Sequence, residues 1–210
     1  NDNDPVSIAT AQYYKEKRGI LEENIIHLNV PLKNELTPNE FSLIKNKVDT
    51  LLPKHIQVIA VAWTNPSRVG CNSMTSAISR GYISDICVSG NYMSASVSPY
   101  YDSYSEAPYT DFGMRPSMML AGKTFEDVKK MIDNGVASDN TNPIGSAYLM
   151  KTYDYTRSLR AYSYTPSLLG KVISPNVDVK ILNSNSIAST TDSLFYFQGL
   201  ATVQKKKKNQ

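Results

Sequence analysis

The sequence predicts a three-layer α/β domain with a central, mostly parallel sheet. Two observations carry this: helical and extended segments alternate as far as Trp63, and residues 55–63 (HIQVIAVAW) form a continuous apolar run rich in β-branched residues, as expected of a strand covered on both faces. The chain has 210 residues, 41% of them hydrophobic and 20% charged, which is enough for one such core and too apolar for a wholly disordered protein.

Ser7 is positioned to cap a helix that runs through Arg18 and ends at Gly19, with Ala9 and Tyr13 on its apolar side. Residues 24–30 (NIIHLNV) read as a strand. Thr37, Pro38, Asn39 and Glu40 form a capping box with proline at the first helical position. Phe41, Leu43, Ile44, Val48, Leu51 and Leu52 follow at helical spacing until Pro53 stops the helix. Beyond the strand at 55–63 the pattern weakens. Residues 76–82 suggest a short helix, and residues 90–113, crowded with Ser, Tyr, Pro and Asn, read as an irregular insertion. Residues 115–121 are the next strand, and Thr124 with Asp127 caps a helix that Gly135 closes. Strands at 146–151 (SAYLMK), 177–182 (VDVKIL) and 193–200 (SLFYFQGL) follow, with a short helix starting at 157–162. The division expected is one domain over residues 1–204 and a basic tail over 205–210.

Charge excludes one class of partner. There are 22 basic and 19 acidic residues, but Lys205, Lys206, Lys207 and Lys208 supply four of the positives, so residues 1–204 are nearly neutral. A nucleic-acid groove needs basic residues spread over a face, and here the net positive excess sits in one terminal run. No apolar stretch approaches the roughly 20 residues of a membrane span. The body is instead rich in small polar residues, with 24 Ser, 14 Thr and 17 Asn, and its 14 tyrosines outnumber 5 phenylalanines. Tyrosine among Ser and Asn makes an adaptable contact surface, which favours a secreted, extracellular assembly role.

The opening NDNDPVSIATAQYYKEKRGILEENIIHLNVP resembles that of a family of secreted bacterial α/β proteins of unknown function. Asn3, Asp4, Pro5, Ser7, Tyr13, Tyr14, Lys17, Arg18, Gly19, Asn24 and Ile25 carry the resemblance. QVIAVAWTNPSRVGCNSMTSAI, Pro99 with Tyr100 and Tyr101, KTFEDVKKMIDNGVASDN and GSAYLMKT extend it in patches. The family's polar R-L-D before the later helix is replaced here by Met119, Leu120 and Ala121. The resemblance implies a fold and secretion, and no reaction. It also implies a strand ahead of the Asn-Asp-Pro. With this sequence opening at Asn1, the expectation is a vacant strand position, filled by a terminal segment of a neighbouring subunit with Lys205 to Lys208 lying near Asp2 and Asp4. Internal replacement by residues 177–182 or 193–200 is the alternative. Head-to-tail addition of that kind would build a homo-oligomer or filament.

More distantly, the α/β pattern is similar to caspase-like and gingipain-like cysteine peptidases, which makes a secreted hydrolase the competing function. Cys71 follows a central strand, but His27 falls inside one predicted strand and His55 at the start of another, so neither imidazole is placed to activate a thiol. With Cys87 it could equally form one disulfide or remain a reduced thiol. There is no G-x-S-x-G elbow and no phosphate-binding glycine loop. No cofactor is expected other than calcium, for which Asp102, Glu106 and Asp111 offer hard oxygen ligands without EF-hand spacing. Tyr92, Tyr100, Tyr101, Tyr104 and Tyr109 crowd the insertion and are the contact candidates, for protein first and for carbohydrate stacking, as in a carbohydrate-binding module, second.

Overall fold

The computed structural model describes residues 1–87, 97–156, 158, 176–187 and 189–198, and they form a mixture of helix and strand. The chain divides into two compact units, Asn1–Ala137 and Ser138–Gln210.

In the first unit, α1 spans Pro5–Arg18. Its cap is Asp4 rather than Ser7: the Asp4 carboxylate accepts the Val6 N–H at 2.9 Å and proline follows in the first turn, which fixes the helix start earlier than Ser7 would. Ser7 is buried, and its Oγ accepts a hydrogen bond from the Asn1 ammonium at 2.8 Å. Gly19 ends the helix at φ 62°, a left-handed conformation that costs glycine little. A 3-10 turn at Glu22–Asn24 leads into an extended segment through Val30. The strand expected at 24–30 is therefore extended but enters no ladder among the described residues. Its anchors are Leu28 and Val30, both buried, with the Leu28 carbonyl accepting from Asp2 N–H and Val30 N–H donating to the Asn1 side chain.

The short β1 (Glu35–Leu36) precedes α2 (Pro38–Leu51), where the capping box forms in both directions between Thr37 and Glu40. Bonds from the Lys33 ammonium, then from the Thr37 backbone and hydroxyl, pull the Glu40 carboxyl down to about 2. Phe41 and Val48 are the buried face of this helix. Of residues 55–63, only Ile59–Val61 form a strand, β2. Val61 and Trp63 enter the core with Leu36, Phe41 and Met74, and the Trp63 indole N–H is satisfied by the Pro66 carbonyl at 3.1 Å. β3 (Arg68–Val69) pairs parallel with β1 and antiparallel with β4 (Asn72–Ser73), which runs straight into α3 (Met74–Arg80), capped by Ser73. The insertion contains one helix, α4 (Pro108–Phe112), before β5 (Ser117–Met119) pairs parallel with β2 in the register Ile59 to Ser117 and Val61 to Met119.

α5 (Phe125–Ala137) begins with reciprocal bonds between Thr124 and Asp127, as expected, but continues past Gly135 instead of stopping there. It packs on α1: Val128 and Ile132 bury beside Leu120, the Tyr13 ring meets Phe125 edge-on at 6.1 Å, and the Tyr13 hydroxyl donates to Asp133 at 2.7 Å. Each of those aliphatic side chains contributes about 1.5–3 kcal/mol by burial.

The second unit contains a three-stranded parallel sheet, with β6 (Gly145–Lys151) between β7 (Val177–Asn183) and β8 (Ser193–Phe197). These match the strands expected at 146–151, 177–182 and 193–200 to within a few residues. Ser146 through Met150 are all buried, and the ladder with β7 is continuous from Gly145 to Lys151. Asp192 closes the unit. Its carboxylate accepts from Ser146 Oγ at 2.6 Å, Tyr148 Oη at 2.8 Å and Lys180 Nζ at 3.0 Å, together with the Thr190 hydroxyl, and these bonds hold it well below the usual carboxylate range.

The expected parallel pairing is thus present, but it is distributed over three small sheets rather than one. The helix expected at 157–162 lies outside the described residues, save Ser158.

Candidate functional site

Beside β2 in the first unit lies a cavity of about 370 Å³. Its walls come from most of that unit's elements: Ala11 and Tyr14 of α1, Val48 of α2, Ile78 of α3, Met118 of β5, and residues 24–26 and 28 of the extended segment. The remaining wall is the unbroken run from Val58 to Trp63. In an extended strand successive side chains point to opposite faces, so six consecutive residues can share one cavity only along the strand's edge, where the main chain is exposed. The cavity is a slot against the backbone of β2.

The pairing with β5 says which backbone groups face it. Ile59 N–H donates to the Pro116 carbonyl and the Val61 carbonyl accepts from Leu120 N–H, so residues 59 and 61 point at β5. In parallel pairing alternate residues point to alternate sides, which turns the N–H and C=O of Ala60, between them, away from β5. Across the slot, the Leu28 carbonyl is already taken by Asp2 N–H. Val58, 54% exposed, opens the slot to solvent.

Two polar atoms in this otherwise apolar lining have no partner. Among the described residues, the buried side-chain atoms without a hydrogen bond are Asn1 Nδ2 and Asn24 Oδ1, and both residues line the slot. The Asn1 ammonium is also buried, and burial lowers its pKa against a smaller opposing effect of Asp2 and Asp4. No carboxylate, imidazole or thiol lines the slot. It offers hydrogen-bonding backbone and apolar surface, and no acid–base pair.

The residues singled out in the sequence lie elsewhere and are not brought together. The Asp2 Oδ1 lies 2.8 Å from His27 Nδ1, and that hydrogen bond holds the Asp2 carboxyl below its ordinary pKa. Asp4 is the α1 cap. Tyr100 donates to the Ser105 carbonyl at 3.0 Å and meets Phe112 edge-on, while the Arg115 guanidinium lies 3.3 Å from the centre of the Tyr109 ring. Those two rings are fixed within the insertion. Tyr101 and Tyr104 are the free ones, 75% and 99% exposed. Tyr92 and Lys205, Lys206, Lys207 and Lys208 lie outside the described residues. Asp102, Glu106 and Asp111 are all exposed, and among the described residues no three His, Cys, Asp or Glu side chains converge to hold a metal ion.

The two cysteines are joined. Cys71 and Cys87 form a disulfide with their Cα atoms 5.3 Å apart, so the Cys71 sulfur that the peptidase alternative needs as a nucleophile is already bonded. Sequence reasoning missed Asn1 and Asn24 as site residues. Their one signal was amides placed at the ends of apolar extended runs. No helix among the described residues is long and apolar enough to cross a membrane. No protein-family model, curated protein or solved structure matches the chain.

Proposed function

We propose that the protein is a secreted, non-catalytic subunit that works outside the cell by binding and self-assembly, as a homo-oligomer or filament. The observation that carries this reading is the slot: a large apolar cavity beside β2, which among the described residues is paired on one edge only, with no carboxylate, imidazole or thiol in its lining. An unpaired edge in an apolar setting is a template for association. The Cys71–Cys87 bond is in keeping with an oxidising compartment, where disulfides persist. The reading keeps the expected three-layer α/β domain with a central, mostly parallel sheet over residues 1–204, supported by the parallel pairs β1–β3, β2–β5 and β6 with β7 and β8. Carbohydrate stacking on Tyr101 and Tyr104 is the second reading, favoured by their exposure.

Light scattering across a concentration series tests the first reading. Mass should rise with concentration. A protein that stays monomeric at millimolar concentration in an oxidising buffer overturns it. Replacing both cysteines by serine should lower stability by about 3 kcal/mol, the loop-closure value for a bridge of this span, read as a drop in the urea midpoint.

A further inference from the structure

We infer that the Cys71–Cys87 bridge is a thiol-exchange site: it accepts two electrons from a dithiol donor, with Cys71 as the sulfur attacked and Cys87 as the sulfur that leaves. This chemistry is independent of the slot and of the assembly reading.

A disulfide that holds a fold together joins segments which nothing else joins, and this one does not. Cys71 sits in the turn between β3 and β4, and the pairs Arg68 with Ser73 and Val69 with Asn72 set that turn through the backbone. Cys87 ends a 3-10 turn at Asp85–Cys87, where its N–H donates to the Ser84 carbonyl at 2.8 Å. Between the two stands Asn72, fully buried, whose side-chain amide clamps Ile83 in both directions: Ile83 N–H donates to Oδ1 at 3.2 Å, and Nδ2 donates to the Ile83 carbonyl at 3.0 Å. Within the closed loop, Met74, Ala77 and Ile78 are buried in the core, and Tyr82 packs against it. Opening the bridge therefore leaves both cysteines in place. The stability lost with it arises in the unfolded chain, which is freed from a closure of 16 residues.

Both cysteines are exposed, so a thiolate from solvent reaches the bridge. The two sulfurs are unequal. Asn72 Nδ2 lies 3.7 Å from each, but Cys87 Sγ is also 3.3 Å from the Tyr82 hydroxyl. A sulfur leaves more readily when its thiolate is stabilised, and two donors converge on Cys87 against one on Cys71. The donor's thiolate attacks Cys71 Sγ, the S–S bond breaks, and its electron pair goes to Cys87 Sγ, which Tyr82 and Asn72 hold. The donor's second thiolate then attacks its own sulfur in the mixed disulfide and expels Cys71. The donor ends as a disulfide and the protein as two thiols, and the two protons the donor sheds pass through solvent to them.

The folded protein is treated without denaturant, once with dithiothreitol and once with glutathione. Dithiothreitol should open the bridge completely, read as two alkylated thiols by mass, while hydrogen exchange at Ile78 and Ile83 changes by less than about twofold. Glutathione, quenched early with acid, should be found on Cys71 about tenfold more often than on Cys87 by peptide mapping. Tyr82→Phe removes the hydroxyl alone. In the reduced variant the pH at which Cys87 alkylates should rise while that of Cys71 stays as in the wild type, a split that a merely structural hydroxyl would not produce. A bridge that opens only in urea overturns the inference, as does loss of exchange protection at Ile83 on reduction. Glutathione spread equally over the two cysteines, or a Cys87 profile unmoved in Tyr82→Phe, overturns it too.

Discussion

β2 and β6 both come from short, largely apolar runs read as strands, the first as a central one, and they end in opposite circumstances. β6 has a partner on both edges and a side-chain network on Asp192 that ties its Ser146 and Tyr148 to β7 and the approach to β8. β2 has β5 on one edge and the slot on the other. Apolarity reports whether the faces of a strand are covered. It is silent about the edges, where the hydrogen bonds are made, and there β2 and β6 differ, as they do in length, three residues against seven.

The largest expected break in this comparison is at the centre of β6. Leu149 is buried and its backbone is paired on both sides, so Leu149→Ala should cost about 2–5 kcal/mol in urea denaturation. A cost under 1 kcal/mol would mean that β6 is as loosely held as β2. Next comes Asp192→Asn, which keeps the shape of the side chain and removes its charge. Because the folded carboxyl titrates below the unfolded one, its contribution is present above the ordinary carboxylate range near pH 4 and is lost as the pH falls below it. The variant should therefore melt at lower temperature at pH 7, and the gap to the wild type should shrink at pH 3. An unchanged gap would show that the charge of Asp192 contributes nothing. The smallest effect is expected on the slot side of β2: Val58→Ala, at a residue more than half exposed, should stay within about 0.5 kcal/mol of the wild type.

What could be read in advance follows the same division between faces and edges. Thr37 and Glu40 announced the start of α2 because a capping box is local chemistry, complete within four residues. The strand at 177–182 was legible because its Val and Ile residues alternate with polar ones, and that at 146–151 because the apolar Ala-Tyr-Leu-Met run follows the turn formers Asn142, Pro143 and Gly145. The start of α1 was misplaced to Ser7 since Asp4 and Ser7 are both good caps, and only the burial of Ser7 under the Asn1 ammonium decides between them. For residues 24–30 the sequence specified an extended chain and nothing about its partners. The polar ends of the slot, Asn1 and Asn24, were not foreseen, because no pattern in a sequence states which amide will lack a mate. Tyr100 and Tyr109 were grouped with Tyr101 and Tyr104 on composition, yet contacts with Phe112 and Arg115 occupy the first pair and leave the second free.

The clasp between Tyr13 and Asp133 has a consequence for the order of events at synthesis. Its two residues are 120 positions apart, so α1 emerges long before the helix it packs against exists. At roughly 5–20 residues per second, the first helix waits on the order of 6–24 s for its partner. During that interval Ala11 and Tyr14 line nothing, and the edge of β2 has formed with one wall of its slot unfixed. A nascent chain paused before Lys129 would expose more strand edge than the finished protein ever does. Chaperone binding should accordingly peak on chains of that length and fall once Ala137 has cleared the ribosome.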